Sequence, residues 1–507
     1  MRTIKITLLG LFLLAIFPAF SGTTYYVRSG SGSDSNDGLT VNNAFQTLTK
    51  VFSGTPALVD GDIIDISGTF DYYVSYKIIK NITIQGTDKS SSIIRGSAGA
   101  SKNCFFIGSS SPVATPTVVI ENVTFQDFDY WSNTATNNGG VISVIGASSI
   151  TCRKVVFNNN QAIGGGAVNI NAGTGVFEDC YFLNNKAKVR SGSTNAHGGA
   201  IAVSTSGTGS ISITIDRCLF EGNTAENTGP AMRFVTAGTG TATLLVQNST
   251  FTGNIVKLPS AATTSGALTL SLSATGTSDV KFINNTIAYN TSEIATSTAN
   301  GLFIGGVTDK IVAINNIIYS NTRPDNSDYS ITTALNIKLK ESRNNITSQA
   351  FDFAANTATG ASFDNVSSVS ANDLALAATL ANNGGETKTL LLNGTSIAVN
   401  AGYSTGAPAV DQRNITRIGR PDVGAFETSV TTVGPNLSMN IIKYVQVGDR
   451  RFFRNTSDFE NVSVYNSTGK QLLFEKLNGD TFEYIAKQGF YLFRFDGSKG
   501  SEIIKLY

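Results

Sequence analysis

Residues 151–201 read TCRKVVFNNNQAIGGGAVNINAGTGVFEDCYFLNNKAKVRSGSTNAHGGAI, and two short patterns recur inside them. One is an apolar residue followed three places later by Asn; the other is a glycine pair followed by a small or branched apolar step. Extended outward, the first gives Phe157/Asn160, Phe182/Asn185, Phe220/Asn223, Phe251/Asn254, Ile287/Asn290 and Ile318/Asn321, with Phe125 opening the series without its Asn. The second gives Gly139-Gly140-Val141-Ile142, Gly165-Gly166-Ala167-Val168 and Gly198-Gly199-Ala200-Ile201, with remnants at Gly229-Pro230, Ser265-Gly266 and Asn300-Gly301.

Stacking the copies exposes further columns. Five places before each apolar anchor stand Ile120, Cys152, Phe177, Ile215, Val246, Phe282 and Ala313; two places before stand Val123, Val155, Cys180, Cys218, Ser249, Asn285 and Asn316. Residues of one parity share one face of a strand, so two inward columns three places apart require a bend between them. The bend column is Asn122, Lys154, Asp179, Arg217, Asn248, Asn284 and Asn315. Asn and Asp accept the left-handed backbone that a one-residue corner needs, which leaves Lys154 and Arg217 as the exceptions.

A repeat of roughly 25 to 38 residues with three short strands and no helical periodicity predicts one coil of a parallel β-solenoid. Stacked coils would pair in parallel about 4.8 Å apart, turning each column into a ladder of like side chains. The expected fold is therefore all-β: a right-handed parallel β-helix with Phe157, Phe182, Phe220 and Phe251 as one internal ladder. The GG[AV][IV] strands and Phe-x-x-Asn ends over 111–345 resemble the repeats of the chlamydial polymorphic outer membrane proteins and of right-handed β-helix surface proteins more broadly.

The 507 residues carry 37 basic and 36 acidic side chains, and only 14% are charged. No electrostatic footprint for nucleic acid results. Residues 1–21 combine Arg2 and Lys5, an apolar run from Leu8 to Phe17, and Ala19-Phe20-Ser21, the form of a signal peptide. The expected location is the outside of the cell or its surface. No later apolar run is long enough for a transmembrane helix. Cys180 and Cys218 share one inward column and Cys152 another, which suits small core residues; their ladder spacing also permits a disulfide, and Cys104 has no assigned partner.

Residues 22–110 read as a cap and first coils: a strand from Thr24, a short amphipathic run to Lys50, the strand VDGDIIDISGTF from Val59, and Ile82 and Ile84 pointing inward. This order resembles the opening segment of pectate-lyase-like β-helix proteins, with Ala44 where that pattern has Pro. Asp34, Asn36 and Asp37 before Gly38 allow either an Asx-stabilised turn or bound calcium, although Phe45 stands where an EF-hand has its bidentate Glu. No other cofactor is indicated.

After a last coil at Asn344-Asn345-Ile346, residues 346–428 contain LANNGGETKTLLLNGTSIAVNAG and DQRNITRIGRPDVGAFE. They resemble the choice-of-anchor Q segment that ends many β-helix surface proteins. Mutual pairing of Asp411, Arg413, Arg417 and Asp422 is expected to close the open end of the solenoid. Residues 429–436, SVTTVGPN, form a linker. Residues 437–507 alternate as a small β-sandwich that resembles the C-terminal sorting domain of type IX secretion in Bacteroidetes, without its initial Pro-Asn-Pro. That resemblance implies the secretion machinery as a partner.

Three function classes remain: a non-catalytic adhesin or glycan-binding protein, a polysaccharide lyase or glycoside hydrolase acting on acidic glycans, and a purely structural surface protein. The acidic residues Glu178, Asp179, Asp216 and Glu221 fall at bends or strand ends, and no nucleophile motif accompanies the single histidine. No catalytic residue is therefore assigned, and the non-catalytic reading is preferred. Loops between each Phe-x-x-Asn and the next glycine pair should emerge along one edge. Those carrying Tyr130 and Trp131, and Lys186, Lys188, Arg190 and His197, form the candidate binding site for an acidic glycan on a host or bacterial surface. The same residues would equally make a ring packed over the coil edge beside a solvated basic loop.

Overall fold

The computed structural model describes residues 22–428 apart from 55–56, 73, 98–101, 131–137, 190–195, 258–264, 298, 307–309, 334–338 and 353–361. Beyond 428 it describes 443–447, 450–454, 459–466, 470–476, 481–485, 491–497 and 500–506. The chain divides into one unit up to Thr428 and a second from Ser429.

The first unit is a right-handed parallel β-helix. Its first sheet stacks strands such as Thr117–Glu121, Ser149–Arg153, Gly173–Glu178, Ile211–Asp216 and Thr241–Gln247; its second stacks Thr124–Gln126, Val156–Asn158, Tyr181–Leu183, Leu219–Glu221 and Thr250–Thr252. A third sheet of nine strands includes Phe105–Ile107, Ile142–Val144, Val168–Ile170, Ile201–Thr205 and Met232–Thr236. Every residue of the expected bend column joins the first sheet to the second, with φ between 47° and 57°. Lys154 and Arg217 adopt this backbone as fully as the Asn residues do. Arg217 pairs with Asp179 of the preceding coil at 2.9 Å and with Asp216, and Lys154 reaches Glu386 at 3.6 Å.

The Phe ladder lies inside. Phe125, Phe157, Phe182, Phe220 and Phe251 pair rung to rung, fully buried, with ring centroids 5.6, 4.9, 4.5 and 4.7 Å apart and planes within 14°. At the next corner, Asn160, Asn185, Asn223, Asn254, Asn290 and Asn321 form a buried amide ladder, each donating to the side-chain oxygen of the next. A second ladder, Asn285, Asn316, Asn345 and Asn365, lines the other inward column. The backbone polar groups that these corners turn inward are thus satisfied without water.

Three expectations need correction. The glycine-pair remnant is not Asn300-Gly301: register pairing of Leu268 with Leu302 places Ala299-Asn300 there and Gly301 in the alanine column. A Cβ on Gly301 would lie 2.2 Å from the Ser330 carbonyl, so the column narrows to Gly at that coil. Lys186 does not lie in a loop, because the chain after each ladder Asn continues into a short parallel strand, Gln161–Ala162, Lys186–Ala187, Thr224–Ala225 and Ile255–Val256.

The third correction concerns 369–428, which does not close the end of the solenoid. It folds back over the outer face of the second sheet, where Leu374, Leu390, Val423 and Phe426 cover Ala288, Ile317 and Ile346. Thr250 donates to Gln412 at 2.6 Å, Ala425 N–H to Thr286 at 3.0 Å, and Tyr181 to the Glu386 carbonyl at 2.8 Å. Outward residues of this sheet such as Val156, Leu219, Ile317 and Ile346 are apolar, and an uncovered face would hold them in water. Asp411 does pair with Arg413, at 2.7 Å, but Arg417 pairs with Glu427 at 3.0 Å, and Asp422 accepts from the backbone of Asn400 and Thr428.

The expected cap is present: strand Thr24–Arg28, helix Leu48–Phe52 and strand Ile63–Tyr72, with Ala44, Ile82 and Ile84 buried. The last full coil includes Ile346, and Ser362–Phe363 adds one more rung. All four cysteines are free and buried, and Cys180 N–H points at the Cys218 sulfur at 3.4 Å. The second unit is a β-sandwich. Lys443–Val447, Arg450–Arg454 and Thr481–Ile485 make one sheet; Gln471–Lys476, Asn461–Asn466, Tyr491–Gly497 and Gly500–Leu506 make the other. Phe453 of the first packs 4.4 Å from Phe493 of the second. Residues 1–21 and the linker 429–436 lie outside the described residues.

Candidate functional site

The candidate site is the outer face of the third sheet. Gly139, Gly165, Gly198 and Gly229 all have φ between 61° and 79°, and there the chain doubles back against its own next strand. A Cβ on Gly198 would stand 2.4 Å from the Ile201 carbonyl and 2.8 Å from Ala202 Cα, so only glycine fits the turn. The residues just before these glycines, Asn138, Gly164, His197 and Thr228, bridge to one another as an outer rail. Beside it runs the outward column of the sheet: Lys77, Phe106, Ser143, Asn169, Ala202, Arg233, Thr269 and Phe303, paired rung by rung.

This column is mixed in chemistry. Ser143, Asn169 and Thr269 are nearly covered, whereas Phe106, Arg233 and Phe303 are partly open to solvent. Tyr130 sets its ring edge-on to Phe106 at 6.3 Å and donates its backbone N–H to Gln161 at 2.9 Å. Four rungs separate Phe106 from Arg233, on the order of 19 Å, and two separate Arg233 from Phe303, on the order of 10 Å.

His197 is a rung of the rail. Its backbone bonds Ile163 and Gly165, and its Nδ1 lies 2.8 Å from the Thr228 hydroxyl. Burial, reinforced by the nearby Arg233 cation, pushes its pKa down to about 4, so the ring is neutral at pH 7. Burial also pushes the Arg233 guanidinium downward. Among the described residues the Arg233 side chain makes no ion pair or hydrogen bond.

The remaining sequence-derived site residues are dispersed. Lys186 donates to Asn159 at 2.9 Å, and Lys188 is exposed. Asp129 bridges Gln161, which pairs with Lys186, so the segments of Tyr130 and Lys186 are two rungs apart. Trp131 and Arg190 lie outside the described residues. The structure thus brings Tyr130 to Phe106 and His197 to Arg233. Sequence reasoning missed Phe106, Arg233 and Phe303; the signal was the residue that follows each glycine-pair strand opening, as Arg233 follows Gly229-Pro230-Ala231-Met232.

Several acidic groups elsewhere are engaged. Glu178 and Asp216 occupy adjacent rungs of the first sheet, but Arg153 holds Glu178 at 2.8 Å, and Arg217 with Asn248 holds Asp216. Asp34 accepts from Gln46 N–H, Thr47 N–H and the Thr47 hydroxyl, Asn36 donates to the Ala44 carbonyl, and Asp37 accepts from Leu39 N–H. These are the bonds of a turn and a helix cap. Among the described residues, no three His, Cys, Asp or Glu side chains converge as metal ligands. No described helix is long and apolar enough to cross a membrane.

Fold and face together define a parallel β-helix protein with an outward column of aromatic, amide, hydroxyl and guanidinium groups. No known protein family and no curated protein matches the chain. Among solved structures it is similar to a GH136 lacto-N-biosidase from Eubacterium ramulus, at 13% identity and TM-score 0.28, over 62% of this chain and 67% of that one. It is also similar to the pectin methylesterase PemA from Erwinia chrysanthemi, at 10% identity and TM-score 0.28, over 67% and 92%. A PL6 family alginate lyase, AlyGC, matches at 13% identity and TM-score 0.26, over 78% and 59%.

Proposed function

We propose that the protein is a non-catalytic surface protein that binds glycan along the outer face of the third sheet and its adjoining loops. The observation that supports this most is the outward column itself, in which the partly open rings of Phe106, with Tyr130, and of Phe303 lie to either side of the partly open Arg233 guanidinium. Rings that present a flat face and polar groups that fix orientation are the ordinary means of holding a sugar chain. In this reading Lys186, on its short strand, and Lys188, Trp131 and Arg190 contribute to the same binding. A glycan array with the full chain tests it. Retention of a defined glycan, weakened in Phe106→Ala and Trp131→Ala at unchanged melting temperature, supports the site; equal binding by both variants overturns it.

The leader 1–21, the choice-of-anchor Q-like segment and the sorting-like sandwich support export to the surface of a Bacteroidetes cell with passage through its type IX machinery. Deleting 437–507 should trap the protein in the periplasm, and normal display of the truncated chain would refute this. Calcium at Asp34, Asn36 and Asp37 remains a proposal that a chelator-dependent shift in melting temperature tests.

The second reading is a lyase on acidic glycans, favoured by the juxtaposition of the Arg233 cation with a neutral His197 able to accept a proton. It requires rising ultraviolet absorbance when uronate polymers are supplied; no rise, with glycan retained, supports the binding protein.

A further inference from the structure

We propose that Arg233 is an anion-recognition point on the third-sheet face, taking a carboxylate or sulfate of an acidic glycan. The inference rests on the glycan reading and narrows it to anionic chains.

The motive is an exception among the described arginines of the unit, the others of which all meet an oxygen. Arg28, Arg95, Arg153, Arg217, Arg323, Arg343, Arg413 and Arg417 each pair with a carboxylate, and Arg420 donates to the Gly402 carbonyl. Arg233 is partly buried on a packed strand between Met232 and Phe234, yet among the described residues no oxygen meets its guanidinium. A cation withdrawn from water without a partner is costly, and five fixed N–H donors in a planar fork match the two oxygens of a carboxylate or sulfate.

The surroundings leave room for such a group. Ala202 stands on the rung before Arg233, so the side chain paired with it there is a methyl group. His197 is near enough to feel the Arg233 cation, and its Nδ1 is already committed to Thr228. Among the described residues no carboxylate contributes to the electrostatics of Arg233. The aromatic rungs at Phe106 and Phe303 lie to either side on the same column, so a chain running along the solenoid axis can stack at both while its acid group meets the cation between them.

The test uses the full chain and three oligosaccharides of equal length: oligogalacturonate, its methyl ester, and a sulfated glucan. Parent, Arg233→Gln and Arg233→Lys are titrated at low salt. The parent should prefer the acidic chains to the ester, Arg233→Gln should lose roughly 10- to 100-fold toward them with ester binding unchanged, and Arg233→Lys should recover part of the loss. The preferred acidic chain tells carboxylate from sulfate. Acid binding unchanged in Arg233→Gln overturns the proposal. Parent binding to the ester without acid preference also overturns it and leaves glycan binding standing. If the parent binds none of the three, the glycan reading fails, and the anion point is judged by titrating inorganic sulfate or glucuronate into ¹⁵N-arginine-labelled protein. A saturable shift of one Nε–H signal, absent from Arg233→Gln, then supports it, and no such shift overturns it.

Discussion

The side-chain oxygen of Asn223 accepts both the backbone N–H and the side-chain amide of Asn185, at 2.9 and 3.0 Å, on the coil before its own. Asn223 in turn donates to the Phe182 carbonyl at 2.8 Å and to Asn254 at 2.9 Å. All of these groups are buried, so the amide is a joint between three coils. Asn223→Ala would leave at least two donors without an acceptor, at about 1–3 kcal/mol for each group. Urea unfolding should show a loss of that order; a loss below about 0.5 kcal/mol would mean that water or a neighbouring amide replaces the joint.

Lys154 holds the left-handed corner with φ 53°, in a column otherwise filled mainly by Asn. Its contact with Glu386 is 3.6 Å long and half exposed, and such pairs contribute little. Lys154→Asn should therefore stabilise the unit by about 0.5–1 kcal/mol, because Asn accepts this conformation more readily. A lower unfolding midpoint in the variant would show that the Glu386 pair matters more than the backbone.

His197 sets a pH dependence. Its folded pKa of about 4 lies below the ordinary 6.5, so the unfolded chain binds the proton more tightly. The associated stability is complete above about pH 6.5 and is lost as pH falls from there toward 4, by at most about 3 kcal/mol. Asp216 and Glu427, pushed upward by burial, act in the opposite sense, so the difference between parent and His197→Gln isolates the imidazole. That difference should shrink between pH 6.5 and 4.5; a pH-independent difference would show a solvated ring.

Much of the solenoid was legible because stacking forces like residues into register. Phe157, Phe182, Phe220 and Phe251 announce a ladder in sequence, and the bend column from Asn122 to Asn315 marks its corner even where Lys and Arg fill it. The Asn300-Gly301 error arose where the glycine signature fades and only pairing fixes the register. The segment 369–428 was misplaced because its partners are far away in sequence; Gln412 meets Thr250 through no periodic signal. Arg233 carries no periodic signal, and that no carboxylate among the described residues meets it is visible only in the fold.

Hydroxyl-radical footprinting of the full chain with and without a bound acidic oligosaccharide tests the location of the ligand most directly, since it reads side-chain exposure and not backbone pairing. Phe106, Tyr130 and Phe303 on the third-sheet face should lose reactivity together, while Val119 and Leu245, outward on the first sheet, should keep theirs. Protection of Val119 and Leu245 with Phe106 and Phe303 unchanged would place the ligand on the other side of the solenoid and contradict the proposed site.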